Sequence, residues 1–195
     1  MKTKEEVNSI HMTLIAGLGN PGAEYENTYH NVGMRAIDFL LEKYKSTVAI
    51  KKTSLVRGFF EYTKTPRAIF VKPHVFMNES GKSIAKALRF FSIKPENMIV
   101  IHDDSDLYVG DFKMSFGSGS AGHKGIESLI EHLGTKNFFR VRVGIRTPEE
   151  DRKRRQKASE LVLKNVPSDD QKQFARVFKN IENTLEERAI DSNGM

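Results

Sequence analysis

The chain has 195 residues, no cysteine, and 31 Lys+Arg against 25 Asp+Glu, a formal net charge of +6. That length suits one domain with a sizeable core, and the missing cysteines exclude disulfides, thiolate nucleophiles and cysteine zinc sites. No apolar run reaches the roughly eighteen residues of a membrane span and the polar start from Met1 to Glu6 lacks a signal-peptide pattern. A cytoplasmic protein is expected, basic enough to invite nucleic acid.

Residues 1–11 read as a flexible extension, followed by one domain over 12–190. Met12–Ala16 is apolar and ends at glycine, as a buried strand does. A Gly/Asn/Pro loop follows over 17–29. Val32, Ala36, Ile37, Leu40, Leu41 and Tyr44 then recur at helical spacing, which predicts a helix over 31–45. A polar connection is expected from Lys45 to Thr53, then two β-like runs, Leu55–Tyr62 and Ala68–Val71, joined as a hairpin by the turn at Thr63–Pro66. Phe76–Phe91 reads as helix and Pro95 as its break. Met98–Ile101 reads as a short apolar strand and Phe112–Phe116 as another. The glycine loop Gly117–Gly122 feeds a helix over 123–133, and Phe138–Ile145 alternates as a strand that closes the sheet. Residues 147–157 are a charged insertion in which Arg152–Arg155 stand beside Glu149–Asp151, the composition of a solvated loop. Phe174, Val177, Phe178, Ile181 and Leu185 mark a C-terminal helix docked on the core. Strands alternating with helices, plus a hairpin, predict an α/β fold: a single compact domain with a mixed twisted β-sheet flanked by helices.

Four clusters carry groups able to do chemistry. Gly17-Leu18-Gly19-Asn20-Pro21-Gly22, with Tyr25, His30 and Asn31 behind it, follows the first strand, where open α/β sheets place ligands. It matches a dinucleotide fingerprint formally, but Pro21 stiffens the loop, and the acidic partner would have to be Asp38 inside a helix. The second cluster is Lys72 to Gly81, containing Met77 and Asn78, where an Asn also serves as an ordinary helix cap. The third, His102-Asp103-Asp104-Ser105-Asp106, places a carboxylate where it can reach a histidine on a neighbouring strand's loop, the arrangement of a base and its orienter. A solvated acidic turn and a metal site are the other readings of that cluster. The fourth is the glycine loop ending in Gly122-His123-Lys124-Gly125, either an anion-binding loop or a mobile connection.

In this order the four clusters resemble bacterial-type peptidyl-tRNA hydrolase, and the resemblance runs from about residue 12 to 188. It implies a normally monomeric α/β enzyme that cleaves the ester between a peptide and the 3′ ribose of tRNA, without metal or cofactor. By position, His30 matches the family's general base and Asp103 its orienter. Asn20 and Asn78 match amides that hold the peptide and the attacking water, while Tyr25 and Met77 match the wall against the 3′ adenosine and peptide. His123 and Lys124 fall in the substrate-binding loop, and Lys113, Arg140 and Arg142 match positions near acceptor-stem phosphates. On an alternating strand Arg140 and Arg142 share a face, so a solvated sheet edge would explain them equally. The chain departs from the family in having Lys124 where Asn is usual, and Ser115 where some relatives carry Lys. Lys124 is also the feature that an RNA-binding relative without catalysis would share.

Overall fold

A computed structural model describes residues 12–45, 51–56, 58–147 and 158–191. The predicted extension over 1–11 and nearly all of the charged insertion over 147–157 lie outside the described residues. Seven strands form one mixed sheet: β1 (Thr13–Gly17), β2 (Lys51–Val56), β3 (Phe60–Lys64), β4 (Ala68–Pro73), β5 (Met98–Tyr108), β6 (Phe112–Phe116) and β7 (Phe139–Arg146). Their order is β2-β3-β4-β1-β5-β7-β6. The centre, β4-β1-β5-β7, is parallel, and β2-β3 and β6 flank it with antiparallel pairing.

Helices cover both faces, as a parallel centre requires. On one face α1 (Val32–Lys45) and α5 (Ser168–Asp191) pack against Ile15, Phe70, Ile99, Ile101, Val141 and Val143. On the other, α2 (Ser80–Phe91) and α3 (Lys124–Leu133) cover Leu14, Ala16, Ile69, Val71, Met98 and Val100. These sets alternate along each strand because successive side chains point to opposite faces. The helices match with their own period: Ile84, Ala87 and Leu88 are buried on α2, and Val177, Phe178 and Ile181 on α5. Burying each of the larger ones contributes about 1.5–3 kcal/mol. A short helix α4 (Ala158–Leu161) precedes α5.

Two glycines set how closely the helices approach. A Cβ on Gly33 would lie 2.3 Å from the Ile101 carbonyl oxygen and 2.7 Å from the Leu18 nitrogen, so α1 begins pressed onto the ends of β1 and β5. One on Gly81 would lie 1.9 Å from the Ser128 carbonyl oxygen, where α2 crosses α3.

Four sequence expectations need correction. The run Leu55–Tyr62 is not one strand: the chain turns at Gly58 (φ 71°), and β2 pairs antiparallel with β3. The polar stretch before it is only partly a connection, since β2 begins at Lys51. The strand from Met98 continues through the acidic cluster to Tyr108, because β7 pairs with it beyond Ile101. Nor does β7 close the sheet, as β6 lies outside it. The hairpin across Thr65 is present as β3-β4, where the Thr65 hydroxyl and backbone both bond Ala68.

Candidate active site

The carboxyl ends of β1 and β5 lie side by side, Gly17 opposite Ile101, and the clusters singled out in the sequence gather above them. A cleft of about 590 Å³ opens there, lined by Asn20, His30, Met77, Asn78, Asp103, His123, Lys124, Arg140 and Arg142 among others. This is the crevice in which open α/β sheets seat their ligands.

His30 stands on a one-turn 3-10 helix, Tyr29–Asn31, just before α1. Its Nδ1 lies 2.8 Å from Asp103 Oδ1, with the two side chains 12% and 3% exposed. Asp103 is on the α1 side of β5 because Ile99 and Ile101 are, which brings its carboxylate under the histidine. An ionised carboxylate only accepts, so Nδ1 carries the proton and Nε2 carries the lone pair. The His30 backbone is held by a distant segment: its N–H donates to the Val162 carbonyl (2.8 Å), and that of Tyr29 to Lys164 (3.1 Å). Burial alone would discourage charge on Asp103, but the electrostatic attraction and hydrogen bonds of His123 and His30 hold its pKa well below the ordinary carboxylate range.

Asn20 is 8% exposed and fastened at both ends. Its backbone N–H donates to Asn31 Oδ1 (2.8 Å) and its carbonyl accepts from Asn31 Nδ2 (2.9 Å). Its own Oδ1 accepts the Met77 N–H (2.8 Å), tying the first loop to the 3-10 turn Met77–Glu79. The side-chain amide therefore turns its donor end toward a ligand. Met77 is buried in the wall and Asn78 is exposed at the rim. Tyr25 is set back from the lining and packs edge-on against Phe76, ring centroids 6.2 Å apart.

His123 has both ring nitrogens committed within the protein. Nδ1 accepts from the Gly125 and Ile126 backbone N–H groups (3.1 and 3.3 Å), capping α3, and Nε2 lies 2.9 Å from Asp103 Oδ1. Lys124 is 71% exposed and pairs with Glu127 at 3.0 Å.

The three cations expected at phosphates are not equivalent. Lys113 is exposed on the edge strand β6. Arg142 is half-buried, its Nε 2.6 Å from Asp104 Oδ2. Arg140 is only 3% exposed, with Nη1 bonded to the Gly119 carbonyl (2.9 Å) and Nε without a hydrogen-bond partner. A solvated sheet edge is thus ruled out for Arg140, because β6 covers β7. Phe76 (52% exposed), Val162 and Leu163 (53% exposed) also line the cleft and were missed. Phe76 stands inside the Lys72–Gly81 cluster, which was its one signal; nothing local marks the other two.

Known proteins share this sequence and fold. The chain matches the family model for peptidyl-tRNA hydrolase over residues 14–193. It is 42% identical over 176 residues to the peptidyl-tRNA hydrolase of Lactobacillus johnsonii, covering 89% of this chain and 91% of that one. It is 39% identical over 172 residues to that of a Sulfurovum species, covering 88% and 86%. The crystal structure of peptidyl-tRNA hydrolase from Acinetobacter baumannii superposes with a TM-score of 0.74 at 27% identity, covering 94% of this chain and 95% of that one. The likeness is end to end, in sequence and in fold, and the chain belongs to the peptidyl-tRNA hydrolase family.

Proposed function

We propose that this cleft hydrolyses the ester between a peptide, or an N-blocked aminoacyl group, and the 3′ ribose of tRNA, with His30 as general base and Asp103 as its orienter. The observation that carries the assignment is the His30–Asp103 bond in the cleft above β1 and β5. Nε2 takes a proton from a water as it attacks the ester carbonyl, and the imidazolium returns a proton to the departing ribose oxygen. Asp103 fixes the tautomer and stabilises the transient imidazolium. The donor end of Asn20 is available to the developing oxyanion or to the peptide backbone, with Asn78 holding peptide or water opposite it. An ester is already activated, so a base, a placed water and amide donors suffice, and no metal or cofactor is assigned.

Lys113 and Arg142, with Lys124 at the rim, supply positive charge for the acceptor stem independent of sequence, as a substrate class of many tRNAs needs. The reading is of a cytoplasmic monomer. Among the described residues no helix is long and apolar enough to cross a membrane.

Single-turnover cleavage of an N-acetyl-aminoacyl-tRNA, with EDTA present, tests the assignment. Wild type should cleave, and His30→Ala should lose about 10²–10⁴-fold in rate while its tRNA affinity stays within about twofold. Wild-type rates in the variant would remove His30 as the base. Tight binding by the wild type without cleavage would leave an RNA-binding relative of the family instead.

A further inference from the structure

His123 lines the same cleft as His30, and its surroundings fix which of its atoms carries a proton. Nδ1 accepts two backbone N–H groups, from Gly125 and Ile126, so it must present a lone pair. In the neutral ring the proton then sits on Nε2, which donates to Asp103 Oδ1 at 2.9 Å. The same oxygen accepts from His30 Nδ1 at 2.8 Å, so one buried carboxylate oxygen serves two imidazoles. The two rings lie 5.2 Å apart, centre to centre. His102 packs against His123 at 4.7 Å and is held neutral by its burial, so it adds no charge to the group.

From this geometry we infer that His123 is a positioning residue for the hydrolysis. It pins the Asp103 carboxylate and draws off part of its charge, and it ties the start of α3 to the general base. The inference rests on the reading of His30 as that base. Its consequence concerns charge. A carboxylate that served His30 alone would hold the imidazolium more tightly and leave the base protonated over more of the neutral range. Sharing the oxygen with His123 tempers that hold while keeping the tautomer.

The three atoms involved, His30 Nδ1, Asp103 Oδ1 and His123 Nε2, lie within 4.8 Å of one another, close enough for a metal ion to be considered. Ligation through Nε2 would require the proton to move to Nδ1, which would break both backbone bonds at the start of α3. The cap therefore favours a proton network over a metal site.

The two jobs of His123 can be separated by His123→Asn. Asparagine is a favoured N-cap, and its short amide can keep the Gly125 and Ile126 bonds without reaching Asp103. His123→Ala loses both functions. The asparagine variant should keep a melting temperature near wild type. Its kcat should fall on the order of 10- to 100-fold, with KM moving much less. The acid limb of its kcat/KM profile should move to higher pH. Proton NMR gives a readout independent of turnover: wild type should show two downfield imidazole N–H signals, and the asparagine variant one, shifted further downfield. Wild-type kcat and an unmoved acid limb in His123→Asn would reduce His123 to a helix cap and overturn the inference. So would a fall in kcat matched by the same fall in melting temperature as His123→Ala, with the acid limb unmoved. If wild type itself cleaves nothing, the functional reading fails, while the NMR signals still decide the shared carboxylate.

Discussion

The parallel centre and the β2-β3 wing belong to one sheet yet are built to different ends. In the wing the apolar packing is aromatic: Phe60, fully enclosed, meets Tyr62 beside it and Phe90 and Phe91 of α2 at centroid distances of 6.2–6.4 Å. Lys86 lies 3.3 Å above the Phe59 ring, covering apolar surface with a cation. At the cleft and in the loop behind it polar groups are buried: Asn20, Asn31, His102, Asp103 and Arg140 are each 8% exposed or less. Such burial costs free energy unless each group is partnered. The wing contributes stability without chemistry, and the centre spends stability to hold chemistry in place.

Phe60→Ala puts the largest effect on that contrast. Truncating a fully enclosed phenylalanine should cost about 3–5 kcal/mol of stability, read by denaturant unfolding. Turnover per folded molecule should stay within about twofold of wild type. Two local links could defeat this: Phe60 shares its apolar cluster with Met77 in the cleft wall, and the Phe59 carbonyl accepts the His74 N–H at 2.7 Å, two residues before Phe76 in the cleft. A matching loss of turnover would mean that the wing reaches the site through one of these links, and the contrast would fail.

The centre should reveal its cost in acid. Burial holds the pKa of His102 well below the ordinary histidine value. Below about pH 6.5 the unfolded chain takes up a proton at this residue that the folded chain refuses. Stability is therefore full above that pH and falls as pH drops, by about 1.4 kcal/mol per unit, until the folded-state pKa is reached. Asp103 acts lower: its depressed pKa gives stability that is complete above about pH 4 and is lost as pH falls further. Unfolding free energies of wild type and His102→Gln at pH 6.5 and 5.5 isolate the first effect. The variant should lose about 1 kcal/mol less over that step, and equal losses would show that His102 is not held neutral.

Much of this was legible in the sequence because periodicity and glycine are local signals. The spacing of Val32, Ala36, Ile37 and Leu40 marked α1, and the glycines and Asn20 marked the loop that carries His30. The His30–Asp103 pair was legible for a topological reason, since loops after adjacent parallel strands must meet. What was missed is long-range. Asp103 to Asp106 have the composition of a turn, and only pairing with β7 extends the strand through them. Arg140 looked solvated because no local pattern reveals that β6 pairs outside β7 and takes its edge. The backbone bond from His30 to Val162 crosses most of the chain, and no residue type announces a carbonyl partner. The double duty of His123 was hidden too, because a cap and a carboxylate bond depend on where α3 begins in space.

The smallest effect is also the finest discriminator, because it separates three cations that the sequence treated alike. Each phosphate neutralised by a free cation steepens the fall of log affinity with log salt by about 0.9 on duplex nucleic acid. Lys113 is exposed on β6, so Lys113→Ala should flatten the slope for tRNA by about that amount. Arg142→Ala should flatten it less, because Asp104 at 2.6 Å already neutralises the guanidinium and stays behind when it is removed. Arg140→Met should leave the slope nearly unchanged, since Arg140 is buried with Nη1 bonded to the Gly119 carbonyl, although the Gly117–Gly122 loop would lose that anchor. Lys86→Ala in the wing, where the ammonium lies over Phe59, is the control and should not change the slope at all. Affinity measured against salt for the four variants ranks them directly. A slope change at Lys86 as large as that at Lys113 would place tRNA across the wing and undo the division of labour between the two halves of the sheet.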